Sequence, residues 1–386
     1  MKTASDADRP RAVVIGGSLG GLFAATMLKT AGWSVEVFER SRHDLDSRGG
    51  GIVLQPSVMS LFRKIGVTLP LSALGVRSAT RIVYAPDGSL ISHQPVSQTQ
   101  TSWSLIYTTL KSAFGETHYH RGQTLVDLSQ DDARGLVTAS FAEGSKVTGD
   151  LLIGADGNGS TVRSLLWPGA EPSYAGYFAW RGLLPEADMP DRARADLHGD
   201  FAFASNQGSH MLGYLVPGPG NDVRPGHRLY NWVWYRTADA EQLQRIMTDA
   251  TGRSRGFSLP EGTLAPASKE LLRADAARLL PPGFRDAVLA TEEPFAQAIR
   301  DLTVSCMVKG RILLLGDAAS IPRPHTAAST AKAAANALAL AEALTQFPED
   351  LSAALSAWEP AQLEVAARLD QQGRAAGQQL LFSRSS

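Results

Sequence analysis

An α/β fold organised on a parallel sheet is what this chain predicts, and three observations predict it. First, the apolar run Ala12-Val13-Val14-Ile15 leads into Gly16-Gly17-Ser18-Leu19-Gly20-Gly21, which opens a helical pattern at Leu22, Ala24, Ala25 and Leu28. Second, the alternating stretch Ser34-Val35-Glu36-Val37-Phe38-Glu39 ends on a carboxylate, about twenty residues beyond the glycines, where a dinucleotide-binding βαβ unit carries its acid. Third, Gly154-Ala155-Asp156-Gly157 and Gly316-Asp317-Ala318-Ala319 each follow a strand-like apolar run. Strand and helix periods alternating in this way give parallel strands joined by crossover helices.

Each element carries its own chemistry. A strand–turn–helix built on glycines aims backbone N–H groups at an anion, and the helix N-terminus favours a pyrophosphate. Ser18 stands where G-x-G-x-x-G has its middle glycine. Glu39 can accept both hydroxyls of a ribose and repel a 2′-phosphate. The alternative, a solvated carboxylate at a strand end, is disfavoured by the spacing.

Further along, Arg81-Ile82-Val83-Tyr84 and Leu90-Ile91 flank Pro86-Asp87-Gly88, a hairpin signal. Helical spacing returns from Trp103 to Phe114, and from about Tyr174 to Tyr235 the chain is strand-rich and aromatic. The stretch from about Glu241 to Asp286 reads as helical and Pro-punctuated, and Ile312 to Leu315 as a buried strand. A long helix of good helix formers begins near Thr326. Beyond Pro348 the pattern is helical and leaves no length for a further C-terminal domain. This order implies a discontinuous architecture: a Rossmann-like cofactor domain from residues 1–78, 103–170 and 290–345, a β-sheet-based substrate domain from 79–102 and 171–289, and a C-terminal helical segment, 346–386. The active site is expected where the two domains meet.

The motifs together resemble a known family. Asp150-Leu151-Leu152-Ile153-Gly154-Ala155-Asp156-Gly157 followed by Ser160-Thr161-Val162-Arg163, and Gly310-Arg311-Ile312-Leu313-Leu314-Leu315-Gly316-Asp317, resemble the motifs of single-component FAD-dependent aromatic hydroxylases, the para-hydroxybenzoate hydroxylase superfamily. Within it, Tyr174-Ala175-Gly176-Tyr177, Trp180-Arg181-Gly182, Arg323-Pro324-His325 and Ala331-Lys332-Ala333 resemble the 2,6-dihydroxypyridine hydroxylases. The resemblance implies a monooxygenase that takes FAD as cofactor and NADH or NADPH as co-substrate. O2 supplies the oxygen atom, and a small electron-rich aromatic ring, a hydroxypyridine by preference, accepts it. It implies FAD contacts at Gly16, Ser18, Leu19, Gly21, Glu39, Arg40, Gln55, Tyr107, Leu125, Asp156, Asp317, Ala327, Ala328 and Ser329. Three positions depart from the family pattern. Ser320 stands where histidine is usual, Ser329 where glycine is usual, and Tyr107-Thr108-Thr109-Leu110 lacks a frequent arginine.

Such chemistry needs no amino-acid nucleophile, since the cofactor performs the hard step. A side chain that assists removal of a ring-hydroxyl proton is the open question. His210 and Tyr214 lie four apart in a strand pattern, and period two puts both on one face. They are candidate catalytic residues, with an exposed histidine beside a packed tyrosine as the alternative. His325, just before the long helix, is the third candidate, with a structural capping role as its alternative. Trp232-Val233-Trp234 matches only the start of the halogenase pattern W-x-W-x-I-P, because Tyr235-Arg236 follow. The pair reads as one face of a strand.

Composition bounds the partners. The 386 residues, 44% hydrophobic and 19% charged, carry a formal net charge of −1, which gives no argument for nucleic acid or an anionic membrane. No apolar run is long enough to span a bilayer, no basic-plus-apolar leader is visible, and no metal-ligand cluster stands out. The single cysteine, Cys306, excludes an internal disulfide, reads as a small core residue, and fits a reducing cytoplasm. A homodimer is possible. The competing readings are an FAD-dependent reductase or oxidase that inserts no oxygen, and a non-catalytic FAD-binding protein.

Overall fold

The computed structural model describes residues 9–45 and 50–383. Three sheets organise them. The first has six strands in the order Val308–Lys309, Ile312–Leu314, Leu151–Gly154, Arg11–Ile15, Ser34–Glu39 and Tyr119–Arg121. All neighbours are parallel except the Val308–Lys309 edge. The central strands are continuous apolar runs because they are covered on both faces. On one side lie the helices Leu19–Thr30, Trp103–Phe114 and Ser329–Gln346, and on the other a three-stranded sheet, Leu125–Asp131, Leu136–Phe141 and Lys146–Gly149.

The second sheet is large and mostly antiparallel. Its order runs Ser258–Leu259, Phe295–Thr303, Ser173–Pro185, Leu229–Thr237, Ser209–Val216, Phe201–Asn206, Val76–Tyr84, Leu90–Ser102 and Gly51–Val53. Val76–Tyr84 and Leu90–Ser102 form the hairpin, with Gly88 N–H donating to Ala85 O at 2.9 Å across the turn. Two strands grouped by sequence with the cofactor segments, Gly51–Val53 and Phe295–Thr303, hydrogen-bond into this sheet instead. Trp232 and Trp234 are fully buried on its back, where their indole N–H groups donate to Thr291 and Ser209. The opposite position on the neighbouring strand is Gly182, where a Cβ would come within 2.5 Å of the Trp232 ring.

Two expectations are corrected. The stretch from 241 to 286 is not continuously helical: a turn-rich segment around Gly252, Gly256 and Gly262 separates Ala240–Ile246 from Pro266–Leu279, and Leu280-Pro281 separates the latter from Pro282–Ala290. All three glycines have positive φ, which no helix accommodates. Cys306, read as a core residue, is only half-buried at the margin of the core, where its carbonyl accepts from the Trp167 indole at 2.8 Å.

The C-terminal helix Leu351–Gly377 is capped by Asp350 and packs along Ser329–Gln346. Its Arg374 reaches Asp301 at 3.0 Å. The same carboxylate takes both prongs of Arg323 at 2.8 Å each, in a buried bidentate pair. Such a fork fixes orientation as well as distance. It pins the loop Arg323-Pro324-His325 between the large sheet and the C-terminal helix. Among the described residues no helix is long and apolar enough to cross a membrane.

Candidate active site

Two clefts meet at Trp103, Ser329 and Thr330. The first, about 300 Å³, runs over the C-terminal ends of the parallel strands. Gly16 leaves its strand with φ +101, and a Cβ there would lie 2.5 Å from Ala155 O. A Cβ on Gly21 would lie 1.8 Å from Gly16 O. Only glycine allows this turn and the close helix–strand approach behind it. The helix Leu19–Thr30 then begins with no side-chain cap at Ser18 and no acid in its first turn. Its free N–H groups and positive dipole end are therefore open to an anion.

At the end of Ser34–Glu39, the Glu39 carboxylate accepts from Gly17 N at 2.9 Å and Ser41 N at 2.8 Å, and it lines the cleft with the exposed Arg40. On the far side, Asp317 follows the positive-φ Gly316 and accepts from Ser329 Oγ at 2.5 Å. Leu125 completes the wall. An uncapped helix end, a ribose-competent carboxylate and a second carboxylate at the opposite end of an elongated cleft fit the pyrophosphate, adenosine and ribityl parts of FAD.

Of the residues expected at the cofactor, Gly16, Ser18, Leu19, Glu39, Arg40, Leu125, Asp156, Asp317 and Ser329 line this cleft. Asp156 does so with its carboxylate engaged, accepting from Ser160 Oγ, Thr161 N and Val162 N. Burial raises its pKa against these hydrogen bonds, which lower it. Five of the expected residues lie outside this lining. Gly21 packs against the turn instead of facing the cleft. Gln55 is the N-cap residue of the helix Pro56–Lys64 and is not among the lining residues. Tyr107 is fully buried, donating to Asp44 at 2.6 Å and lying 3.3 Å from Tyr119 Oη, which in turn donates to Gly17 O. It braces the glycine turn from behind. Ala327 and Ala328 line the second cleft, not the first.

Two of the three departures from the family pattern have local partners. Ser320 Oγ accepts at 2.9 Å from the buried Lys332 Nζ, which also donates to Gly316 O and Ser320 O. Burial lowers the Lys332 pKa to about 8, against the opposing pull of Asp317, 3.7 Å away. Ser329 ties the start of the helix Ser329–Gln346 to Asp317. That helix has no side-chain cap, so its N–H groups are free at the junction of the clefts. Ala327, just before it, is held at φ 50, ψ 26.

The second cleft, also about 300 Å³, is walled by the front of the large sheet. Ala179 and Arg181, Val233 and Tyr235, and Leu212 and Tyr214 point into it from three adjacent strands, with Ile52, Phe201 and Ile299 adding apolar surface. Two arginines line it: Arg323, held by Asp301, and Arg181. Arg181 Nη1 donates to Gln297 at 3.3 Å, while Nε makes no hydrogen bond among the described residues. The sequence reading missed Arg181 as a site residue, although it stood in the Trp180-Arg181-Gly182 motif. Burial pushes the Tyr214 hydroxyl up to about 12 despite the nearby Arg181, which lowers it.

Of the three catalytic candidates, Tyr214 lines this cleft and the two histidines do not. His210 shares the Tyr214 face of its strand but lies four residues away, paired with Tyr235 where Tyr214 is paired with Asn231. Its Nδ1 is 2.7 Å from Ser205 Oγ. His325 Nε2 is 3.0 Å from Tyr177 Oη, and the two imidazoles are 6.0 Å apart, packed on Tyr235. Burial first, and then the Arg81 charge, lowers the His210 pKa to about 4. Burial, His210 and Arg323 lower that of His325 to about 3. Both are neutral at pH 7, and each already has a hydrogen-bond partner. The strand thus gives His210 and Tyr214 one face but different neighbours. Among the described residues no cluster of histidine, cysteine or acidic side chains could hold a metal.

Comparison with known proteins agrees with this geometry. A family model described as FAD binding domain-like matches residues 174–301. The 2,6-dihydroxypyridine 3-monooxygenase of Paenarthrobacter nicotinovorans is 38% identical over 356 residues, covering 92% of this chain and 87% of its own. The 6-hydroxynicotinate 3-monooxygenase of Bordetella bronchiseptica is 27% identical over 376 residues, covering 94% and 90%. The solved structure of 2,6-dihydroxypyridine-3-hydroxylase from Arthrobacter nicotinovorans matches with a TM-score of 0.91 at 35% identity, covering 98% of this chain and 94% of that one. The chain belongs to the FAD-dependent aromatic monooxygenases, the family that its glycine motifs and two-cleft architecture resemble.

Proposed function

We propose that this monooxygenase hydroxylates a hydroxypyridine, bound in the second cleft as its ring-oxygen anion. Bound FAD supplies electron transfer from NAD(P)H and the activation of O2; the protein supplies position, dryness and charge. The observation that carries the substrate reading is Arg181, a guanidinium among aromatic and aliphatic side chains in a cleft sized for one ring, whose other arginine, Arg323, is already held by Asp301. A cation there stabilises an ionised ring oxygen and so favours the electron-rich form of the substrate. Tyr214, protonated at any physiological pH, donates a hydrogen bond to the ring and removes no proton. His210 and His325, neutral and already bonded, hold the Tyr177–Tyr235 wall in place. In this reading the cofactor part and the substrate part remain discontinuous in sequence, with Gly51–Val53 and Phe295–Thr303 moved to the substrate side. Cytoplasmic residence, with its supply of NAD(P)H, completes it.

The test is a screen of hydroxypyridines and hydroxybenzoates for substrate-stimulated NAD(P)H oxidation, with 18O2 to follow the oxygen. A hydroxypyridine is expected to stimulate oxidation and to gain one labelled atom. Stimulation without label in the product would instead make the protein a reductase or oxidase. General-base assistance is worth roughly a hundredfold or more, so His210→Ala separates the two proton schemes. If it retains its FAD but loses oxygen transfer on that scale, His210 is the base after all.

A further inference from the structure

The large sheet has a second face, and it too borders a cavity. Side chains alternate along a strand, so Ala179 and Arg181 face the substrate cleft while Phe178 and Trp180 face the opposite way. The neighbouring strand repeats the division, with Tyr235 in front and Arg236 behind. Behind the sheet, the helices Ala240–Ile246 and Pro266–Leu279 stand off far enough to leave a cavity of about 470 Å³, larger than either cleft. It shares no lining residue with them.

The chemistry of this cavity is specific. Phe178 and Trp180 form its floor, and Ile246, Ala267 and Leu271 its apolar walls. Leu271 is 45% exposed at the mouth, more than a packing leucine needs. Arg236 lies over the Trp234 ring at 5.1 Å, and its Nε and Nη1 are buried without a hydrogen bond among the described residues. Asp275 Oδ2 is 3.0 Å from Nη1 as an ion pair. The same carboxylate also serves Arg278 at 2.8 Å, so one negative charge faces two guanidiniums. Arg236 lines the cavity together with the exposed Arg245, and a planar guanidinium fork matches a carboxylate. Aromatic and aliphatic walls around that fork match a flat ring.

We propose that the cavity behind the sheet is a second ligand site, taking a small aromatic carboxylate whose carboxylate meets Arg236 and whose ring lies against Phe178 and Trp180. The site is independent of the flavin and of the substrate cleft.

Benzoate, titrated into the FAD-loaded protein by calorimetry and by tryptophan fluorescence, is the probe. Saturable binding at one site per chain is expected. Ala267→Trp, at an exposed helix position on the cavity mouth, fills the space and is expected to abolish it without loss of FAD. Arg236→Met is expected to weaken binding at least roughly tenfold, the loss of a hydrogen bond to a charged group. Arg181→Met, in the front cleft, is expected to leave binding intact. Absence of saturable binding, or binding that persists in Ala267→Trp, would overturn the proposal. So would binding abolished by Arg181→Met but not by Ala267→Trp, because benzoate would then be occupying the substrate cleft.

Discussion

The flavin cleft and the substrate cleft touch at Trp103, Ser329 and Thr330 but are made of different material. The first is chiefly backbone: positive-φ turns at Gly16 and Gly316, an uncapped helix end, and carboxylates at strand or turn ends. The second is chiefly side chain, with three strands each contributing alternate residues to one face of a sheet. Backbone geometry dictates residue type directly, because few residues other than glycine tolerate such turns. A sheet face dictates only polarity and size, so its chemistry depends on which strands become neighbours. Substitutions should therefore damage the first cleft by shape and the second by charge.

The sharpest way to break that contrast is Gly21→Ala. One methyl group would be placed 1.8 Å from a backbone oxygen that has no room to withdraw. We expect a cost of roughly 3 kcal/mol or more, expressed as loss of bound FAD or of soluble protein. A yellow, folded Gly21→Ala protein with ordinary FAD affinity would show that the turn is not the constraint.

Acid should act on the other region. His210 and His325 have folded pKa values of about 4 and about 3, below the ordinary 6.5. Between those values and 6.5 the unfolded chain binds more protons than the folded one. Stability is therefore held above pH 6.5 and lost as the pH falls towards 4. The loss should be on the order of a few kcal/mol between pH 7 and 4.5. It should shrink in His210→Gln/His325→Gln, measured by urea unfolding at both pH values. An equal loss in the double variant would place the acid sensitivity elsewhere. The same two values predict a kcat profile free of a histidine titration between pH 6 and 8.

Asp317→Ala removes a carboxylate without moving backbone. A hydrogen bond from a ribityl hydroxyl to a carboxylate is worth about 1.5–3 kcal/mol, so FAD should bind roughly ten- to a hundredfold more weakly. Flavin titration of the apoprotein reads this directly, and unchanged affinity would remove Asp317 from the cofactor site. Arg181→Met is its counterpart in the second cleft. It should raise the substrate Kd roughly tenfold with FAD affinity intact, and Arg181→Lys should recover part of the loss. Weakened FAD binding in Arg181→Met would dissolve the distinction between the clefts.

The same contrast explains what the sequence made legible. Gly16, Glu39, Asp156 and Asp317 could be located because each sits in a motif with its own backbone requirement. Arg181 could not, since an arginine within an aromatic strand has no signature until Val233 and Leu212 are known to be its cross-strand neighbours. The register does the same to His210: period two gave its face correctly, but the neighbours that make it neutral, Tyr235 and His325, arrive from elsewhere. Tyr107 braces the glycine turn from behind while Trp103, on the same helix, lines the cleft, a distinction that helical period alone does not make.

The smallest expected effect lies where the two materials meet. Ala327 lines the substrate cleft immediately before the helix Ser329–Gln346 and adopts the left-handed conformation, φ 50 and ψ 26. An L-residue pays roughly 1–2 kcal/mol there, and glycine avoids that strain. Glycine also gives the unfolded chain more freedom, which offsets part of the gain by about 0.4–1 kcal/mol. Ala327→Gly should thus stabilise the protein by less than about 1 kcal/mol, seen as a small rise in Tm. The Ala327 methyl faces the substrate cleft, not the flavin cleft, so FAD affinity should stay constant while substrate KM shifts slightly. A fall in Tm would mean that the left-handed turn is held by packing of that methyl, and the junction would then belong with the side-chain cleft rather than the backbone one.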